Sequence, residues 1–230
     1  RQVWITKKGG PEVLALKEAP DPHAGPGEVR IRVSHSGLNF ADLMARMGLY
    51  QDAPPLPTVV GYEVSGTVDE LGEGVDHLTT GDRVVSLTRF GGHADVVVVP
   101  AAQVSPLPEA ITFEAAAAIP VNYLTAWLML VHLGNVQRGD RVLVHAAAGG
   151  VGQAALQLCR WRGAEVIGTA SAAKHPRLRD AGCAHCIDYR SQDFEAEVKR
   201  ITDGAGVQIA LDAVGGQSFA KSYRCLASMG

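Results

Sequence analysis

The segment 144–152, Val-His-Ala-Ala-Ala-Gly-Gly-Val-Gly, follows a strand-like run at 141–143 and opens a helix-like run at 153–158. Its register, Ala147-x-Gly149-x-x-Gly152, is the spacing of a dinucleotide-binding turn. Small residues let the chain turn tightly, bring the backbone of Ala148, Gly149, Gly150, Val151 and Gly152 against a pyrophosphate, and place the anion over a helix N-terminus. A glycine-rich turn without a ligand is the alternative. A second strand-like run at 165–169 arrives one helix length later, closing a unit of about 30 residues, and this favours the dinucleotide reading.

The next chemical signal lies at the end of that second strand. NAD-selective folds place an Asp or Glu there to bond the ribose 2′-hydroxyl, and this chain has Ser171. Ser171 can donate to a 2′-phosphate and Lys174 can supply charge, so NADPH is expected over NADH. The alternative for Lys174, with His175 and Arg177 beside it, is a solvated first helical turn. Cations at a helix N-terminus oppose the macrodipole, which a phosphate partner would explain. Val214, in the Val-Gly-Gly run after Leu211-Asp212, falls where the second half of a dinucleotide should pass, though a plain turn has the same composition.

Positioning such residues requires two kinds of element. Residues 28–33 alternate strictly, strand-like runs follow at 83–87 and 95–99, and Pro, Gly and Asp separate them. Ala-rich helix is expected at 113–118 and an apolar helix at 124–133, with a domain boundary near Val121. Beyond it, strands near 141–145, 165–169, 185–188 and 208–211 alternate with helices near 151–162, 173–181, 193–201 and 217–226. That alternation predicts an α/β domain with a doubly wound parallel sheet. Such folds normally have six strands, so four before Gly230 read as a truncated sheet. The expected domains are 1–121 and 122–230.

Composition narrows the partners. The 230 residues are 47% hydrophobic, and 21 basic against 24 acidic side chains form no basic block, which disfavours nucleic acid. No stretch reads as a transmembrane helix or signal peptide, and four scattered cysteines do not make a disulfide framework, so a cytoplasmic protein is expected. Cys183-Ala184-His185-Cys186 has metal-like spacing but no second pair, and a structural role is preferred.

Gly61-Tyr62-Glu63-Val64-Ser65-Gly66-Thr67-Val68, then Gly72-Glu73-Gly74-Val75 and Gly81-Asp82-Arg83-Val84, resemble the signature region of medium-chain dehydrogenases/reductases. Residues 36–42 and the Ala-Ala-Ala-Gly-Gly-Val-Gly loop are similar to the quinone oxidoreductase branch. Residues 39–50, Asn122-Tyr123 and 169–175 most resemble its vesicle amine transport subgroup. The resemblance implies a GroES-like substrate domain beside a Rossmann cofactor domain, a site in the cleft between them, and a homodimer. It also implies that Asn122 and Thr125 lie near the nicotinamide and that Tyr189 flanks the adenosine end, ordinary packing being the alternative for Tyr189.

Zinc-using relatives carry Cys where this chain has Ser36, and Gly-His-Glu where it has Gly61-Tyr62-Glu63. The remaining histidines of the first domain, His23, His35, His77 and His93, read as surface or turn residues, so no metal is expected. Conjugate hydride addition needs no Lewis acid, because hydrogen-bond donors can stabilise the delocalised enolate. The expected reaction is hydride delivery from NADPH to a quinone or α,β-unsaturated carbonyl. Asn39 and Tyr50 would line the acceptor pocket. Asp42, three residues after Asn39 on a short helix, would face the cleft or brace that helix, the bracing role being preferred. Some quinone oxidoreductases have a Tyr two residues after this Asp, where this chain has Met44. The alternatives are an enoyl-thioester reductase and an NADPH-binding, vesicle-associated protein with little turnover and no direct membrane insertion.

Overall fold

In the computed structural model, which describes all residues 1–230, contacts separate into two units, Arg1–Val121 and Asn122–Gly230. The first unit has a two-stranded antiparallel ribbon, β1 (Gln2–Ile5) with β2 (Leu14–Lys17). Its main sheet comprises β3 (Glu28–Ser36), β4 (Glu63–Leu71), β5 (Arg83–Leu87), β6 (Val96–Pro100) and β7 (Val104–Pro106). These pair antiparallel in the order β6-β3-β4-β5-β7. The alternation in β3 does what period-two patterning requires: Val29 and Ile31 are fully buried, while Arg30 and Arg32 reach Asp69 on β4 at 2.8 and 2.9 Å.

β4 is the central strand, yet its pattern is blurred because Glu63, Val64, Ser65 and Val68 are all buried. The Ser65 hydroxyl is satisfied by donating to the Phe113 carbonyl at 2.6 Å. Two helices belong wholly to this unit, α1 (Phe40–Met47) and α2 (Phe113–Ala116). α2 is capped by Thr112, whose hydroxyl accepts from Ala115 N, and Gly48 ends α1 in the left-handed region.

The second unit is a parallel sheet of β8 (Arg141–Val144), β9 (Glu165–Ala170), β10 (His185–Asp188) and β11 (Ile209–Leu211), ordered β10-β9-β8-β11. The strand order reverses between β8 and β11, which makes the carboxyl ends of those two strands a topological switch point. After α3 (Pro120–Trp127), the helices are α4 (Gly150–Arg162), α5 (His175–Asp180), α6 (Phe194–Ile201) and α7 (Gln217–Arg224). One core packs α4 against Val142, Val144 and Val166; another gathers Leu143, Ile167, Ile187 and Val198. This is the α/β architecture of a GroES-like unit followed by a Rossmann sheet.

Three expectations change. The apolar helix expected at 124–133 begins at Pro120, where proline is pre-set for a first turn, and it loosens into a π-turn over Leu128–Leu133, with Gly134 N donating to Met129 O at 2.9 Å. The helix expected from 173 opens as a 3₁₀ turn, Ala172–Lys174, before α5. The helical run Phe113–Leu133, contrary to the expectation that no stretch is that long, has 21 residues with mean hydropathy 1.4, enough to cross a membrane by length and composition alone. Its Ala116, Ala117, Ala126 and Leu130 are nonetheless buried inside the fold.

Candidate functional site

After β8 the chain turns through Ala146, whose φ of 50° puts a Cβ-bearing residue in the left-handed region. Two hydrogen bonds hold this turn, Ala147 N to Thr169 O at 3.1 Å and Gly149 N to Ala146 O at 2.8 Å. Gly149 is the N-cap of α4 and offers no side chain, so the first-turn amides of Gly150, Val151 and Gly152 have no intrahelical acceptor. A Cβ on Gly150 would sit 2.3 Å from Asn122 Oδ1, and one on Gly152 would sit 2.5 Å from Ala147 O. Glycine is therefore required at Gly152, where the obstacle is backbone, whereas at Gly150 the Asn122 side chain would have to move; the amide-lined cradle fits a pyrophosphate.

The other cofactor-side candidates follow the carboxyl ends of the strands. Ser171 directly follows β9, and its carbonyl accepts from Lys174 N at 2.9 Å. Lys174 is exposed and makes no ion pair, and no acidic residue stands at the end of β9. His175 is not part of a solvated turn, which was the alternative for this segment. It is buried, and its Nε2 lies 3.1 Å from the Ala170 carbonyl, tying α5 to the end of β9. Tyr189, after β10, is 54% exposed rather than packed, and the Arg190 guanidinium lies 5.9 Å from its ring centroid. Val214 is 66% exposed in the turn after β11. Asn122 and Thr125 share α3, and Asn122 lies over the N-terminus of α4.

The first-unit candidates behave differently. Asn39 is the N-cap of α1 rather than a helical neighbour of Asp42, and it is buried. Its Nδ2 donates to Glu63 Oε1 at 2.8 Å, so its amide is committed to the fold instead of lining a pocket. Asp42 does not face outward either: Oδ2 accepts from Asn39 N at 2.8 Å and Oδ1 from Gly61 N at 2.9 Å. The first bond is the N3-to-N-cap half of a capping box and the second ties α1 to the segment before β4, which is the bracing role preferred for Asp42. Tyr50 is 36% exposed and packs edge-on against Tyr62, with centroids 6.1 Å apart. His93 lies in the bend before β6, but its side chain is only 18% exposed, with Nε2 3.2 Å from Gly37 O and 4.0 Å from Asp42 Oδ2, so of the two expected settings, surface or turn, it has the turn.

Glu63 was visible only as part of a signature, yet it is the most deeply buried carboxylate of this unit, with Oε2 accepting from Val121 N at 2.9 Å. Burial raises its pKa despite the donors Val121 N and Asn39. Burial likewise raises that of Asp42, against the pull of Asn39 N and His93. The Tyr62 hydroxyl is buried without a partner, and burial raises its pKa. A polar residue inside a run that must be a central strand was the one signal that could have drawn attention to Glu63.

These residues do not suit zinc. A catalytic zinc wants thiolate, imidazole or carboxylate ligands converging on one point. Ser36 instead donates to Glu63 O at 3.2 Å, Tyr62 replaces an imidazole, and both Glu63 oxygens are occupied. No three His, Cys, Asp or Glu side chains are grouped to hold a metal, and Cys183 donates to His185 O at 3.1 Å as a structural thiol.

A raised carboxyl pKa means that the folded state holds its proton to higher pH than the unfolded chain. Stability therefore falls as pH rises from the unfolded value, about 4 for Asp and Glu, through the folded one. Glu63→Gln removes one such group. The stability difference between Glu63→Gln and the wild type is expected to shift in the variant's favour as pH is raised from 4.5 to 7.5, read as urea midpoints at each pH. A pH-independent difference would show that Glu63 titrates normally.

Comparison with known proteins agrees with this architecture. The alcohol dehydrogenase GroES-like domain family matches residues 25–109 and the zinc-binding dehydrogenase family matches residues 150–230. The chain is 49% identical over 233 aligned residues to the synaptic vesicle membrane protein VAT-1 homolog of Rattus norvegicus, covering all of this chain and 57% of that protein. It thus spans just over half the length of that relative. Among solved structures, CurK enoyl reductase superimposes with a TM-score of 0.93 at 33% identity, covering 98% of this chain and 70% of that one. Escherichia coli quinone oxidoreductase complexed with NADPH gives 0.92 at 37% identity, covering 98% and 69%. With its antiparallel first unit, its 3-2-1-4 parallel sheet and its glycine cradle, the chain belongs to the medium-chain dehydrogenase/reductase family, in the quinone oxidoreductase-like branch close to the VAT-1 homologues.

Proposed function

We propose that the protein is a zinc-independent, NADPH-dependent oxidoreductase acting on a quinone or an α,β-unsaturated carbonyl. The observation that carries this reading is the cradle at the start of α4, joined to an unpaired Lys174 and a Ser171 where NAD-selective folds place an acid. NADPH, when bound, supplies the hydride. The amides of Gly150, Val151 and Gly152 would hold its pyrophosphate, Ser171 and Lys174 its 2′-phosphate, and Asn122, Thr125 and Val214 would orient the nicotinamide half. Tyr189 would flank the adenine. Tyr50, the exposed candidate of the first unit, would contact the acceptor, while Asn39, Asp42 and Glu63 keep the loop before α1 in shape. Most of the acceleration would come from orientation, for which roughly 7–11 kcal/mol is available to well-aligned reactants.

The test is NADPH oxidation with an ortho-quinone acceptor, followed by the loss of near-ultraviolet absorbance, with and without a chelator. Turnover that persists in chelator supports the reading, and binding of NADPH without oxidation by any quinone or α,β-unsaturated carbonyl would end it. A second reading, an enoyl-thioester reductase, is supported by the likeness to CurK enoyl reductase. Turnover with a crotonyl thioester but no quinone would select it.

Lys174→Ala is expected to weaken NADPH binding about tenfold while leaving NADH binding within about twofold, because only NADPH presents a charge to this side chain. Titration calorimetry with both nucleotides checks this. Equal losses for both would remove Lys174 from the 2′-phosphate site.

A further inference from the structure

His145 directly follows the apolar strand β8 and is only 6% exposed. Its Nδ1 lies 2.9 Å from Thr169 Oγ1 at the end of β9, and its Nε2 lies 2.9 Å from Ser222 Oγ on α7. Ser222 is buried, and its hydroxyl donates to Asp212 Oδ2 at 2.8 Å. The other oxygen, Asp212 Oδ1, accepts from Val214 N at 2.8 Å and Gly215 N at 2.9 Å. A single chain of polar contacts therefore runs from the end of β9, through β8 and α7, to the turn after β11. It crosses the switch point between β8 and β11.

The proton positions follow from donor counting. An ionised carboxylate only accepts, so the single Ser222 proton goes to Asp212 and the Ser222 oxygen must accept from His145 Nε2–H. The neutral ring then accepts at Nδ1 from the Thr169 hydroxyl. Burial lowers the His145 pKa, in keeping with a neutral ring, and Phe194 packs against it in a T-shaped pair with ring centroids 4.6 Å apart. At Asp212, burial alone would raise the pKa, but donation by Gly215 N, Ser222 and Val214 N outweighs it and keeps the carboxyl ionised. Every member is satisfied, which is the condition under which a buried polar network rigidifies its surroundings. Gly215 and Gly216, with φ of 73° and 59°, make the turn it grips intrinsically loose.

We propose that His145 and Ser222 are positioning residues that set the Val214–Gly215 turn against the nicotinamide half of the cofactor, acting through Asp212; this rests on the NADPH reading above. Ser222 lies outside the dinucleotide cradle and the His145 ring points away from the amides of Gly150, Val151 and Gly152 to Thr169 and Ser222, so loss of the Ser222 link should separate the two halves of the ligand. The probes are NADPH and 2′,5′-ADP, which carries the 2′-phosphate and adenosine but no nicotinamide.

With Ser222→Ala, NADPH binding is expected to weaken about fivefold, the net worth of one hydrogen bond, while 2′,5′-ADP binding stays within about twofold. Thr169→Val, which cuts only the far end of the chain, should show the same selectivity and decides the matter if Ser222→Ala does not fold. Unchanged NADPH affinity, or equal losses for both probes, would overturn the inference, the latter pointing to a general folding role. Failure of the wild-type protein to bind 2′,5′-ADP would overturn the cofactor reading and this inference with it. Wild-type binding with unselective variants would overturn the inference alone.

Discussion

Glu63→Ala is expected to destabilise the first unit by about 3 kcal/mol. The substitution leaves the Asn39 amide and the Val121 N–H, both buried or half-buried, without acceptors. It also empties the space that Gly37 faces, where an added Cβ would lie 2.3 Å from Glu63 Oε1. Relief of burying a carboxylate offsets part of this loss, which is why the isosteric Glu63→Gln is the informative control. It retains one acceptor and should lose about 1 kcal/mol or less near neutral pH. Urea denaturation of both variants gives the comparison. A loss below about 0.5 kcal/mol for Glu63→Ala would mean that water replaces the carboxylate without cost, and that the carboxylate does not hold the loop before α1.

Gly152→Ala should be the most damaging change to cofactor binding, weakening NADPH about a hundredfold. Its Cβ would meet Ala147 O, C and Cα at 2.5 to 2.6 Å, all backbone atoms that no rotamer change can move. Either α4 shifts away from β8 or the cradle opens, and both pull the first-turn amides from the pyrophosphate. The neighbouring Gly149→Ala is the control, since its Cβ would meet only Ala146 O at 3.2 Å and its φ of −79° suits any residue. It should cost no more than about threefold. If Gly149→Ala and Gly152→Ala weaken NADPH equally, close helix-to-loop packing is not what the third small residue provides.

Much of the second unit was legible because its physics is local. Apolar runs at 141–144 and 165–170, separated by one helix length and a Gly-rich turn, leave a right-handed crossover as the only short connection, and β8 and β9 pair as that requires. Ser171 and Val214 could be placed at strand ends for the same reason. His145 could not be interpreted, because its partners stand 24 and 77 residues away and only the closed sheet brings them together. The first unit was read less fully. β1 and β2 are short, and β4 is buried on both faces with polar residues among its apolar ones, so period two is lost.

What the sequence determined by itself was the set of constraints that act over a few residues: the glycine spacing of the cradle, the absence of an acid after β9, and the switch from strand-rich to alternating elements. Each follows from bond geometry or side-chain chemistry, which neighbours in the chain already define. Tertiary structure alone decided the work of the buried polar groups. Asn39 read as a pocket residue and Asp42 as a helix brace that could also face the cleft, and only the packing of Glu63, Gly61 and His93, contributed by distant segments, decided what encloses them. A buried donor or acceptor must find a partner, and which partner it finds depends on long-range packing that no local pattern encodes.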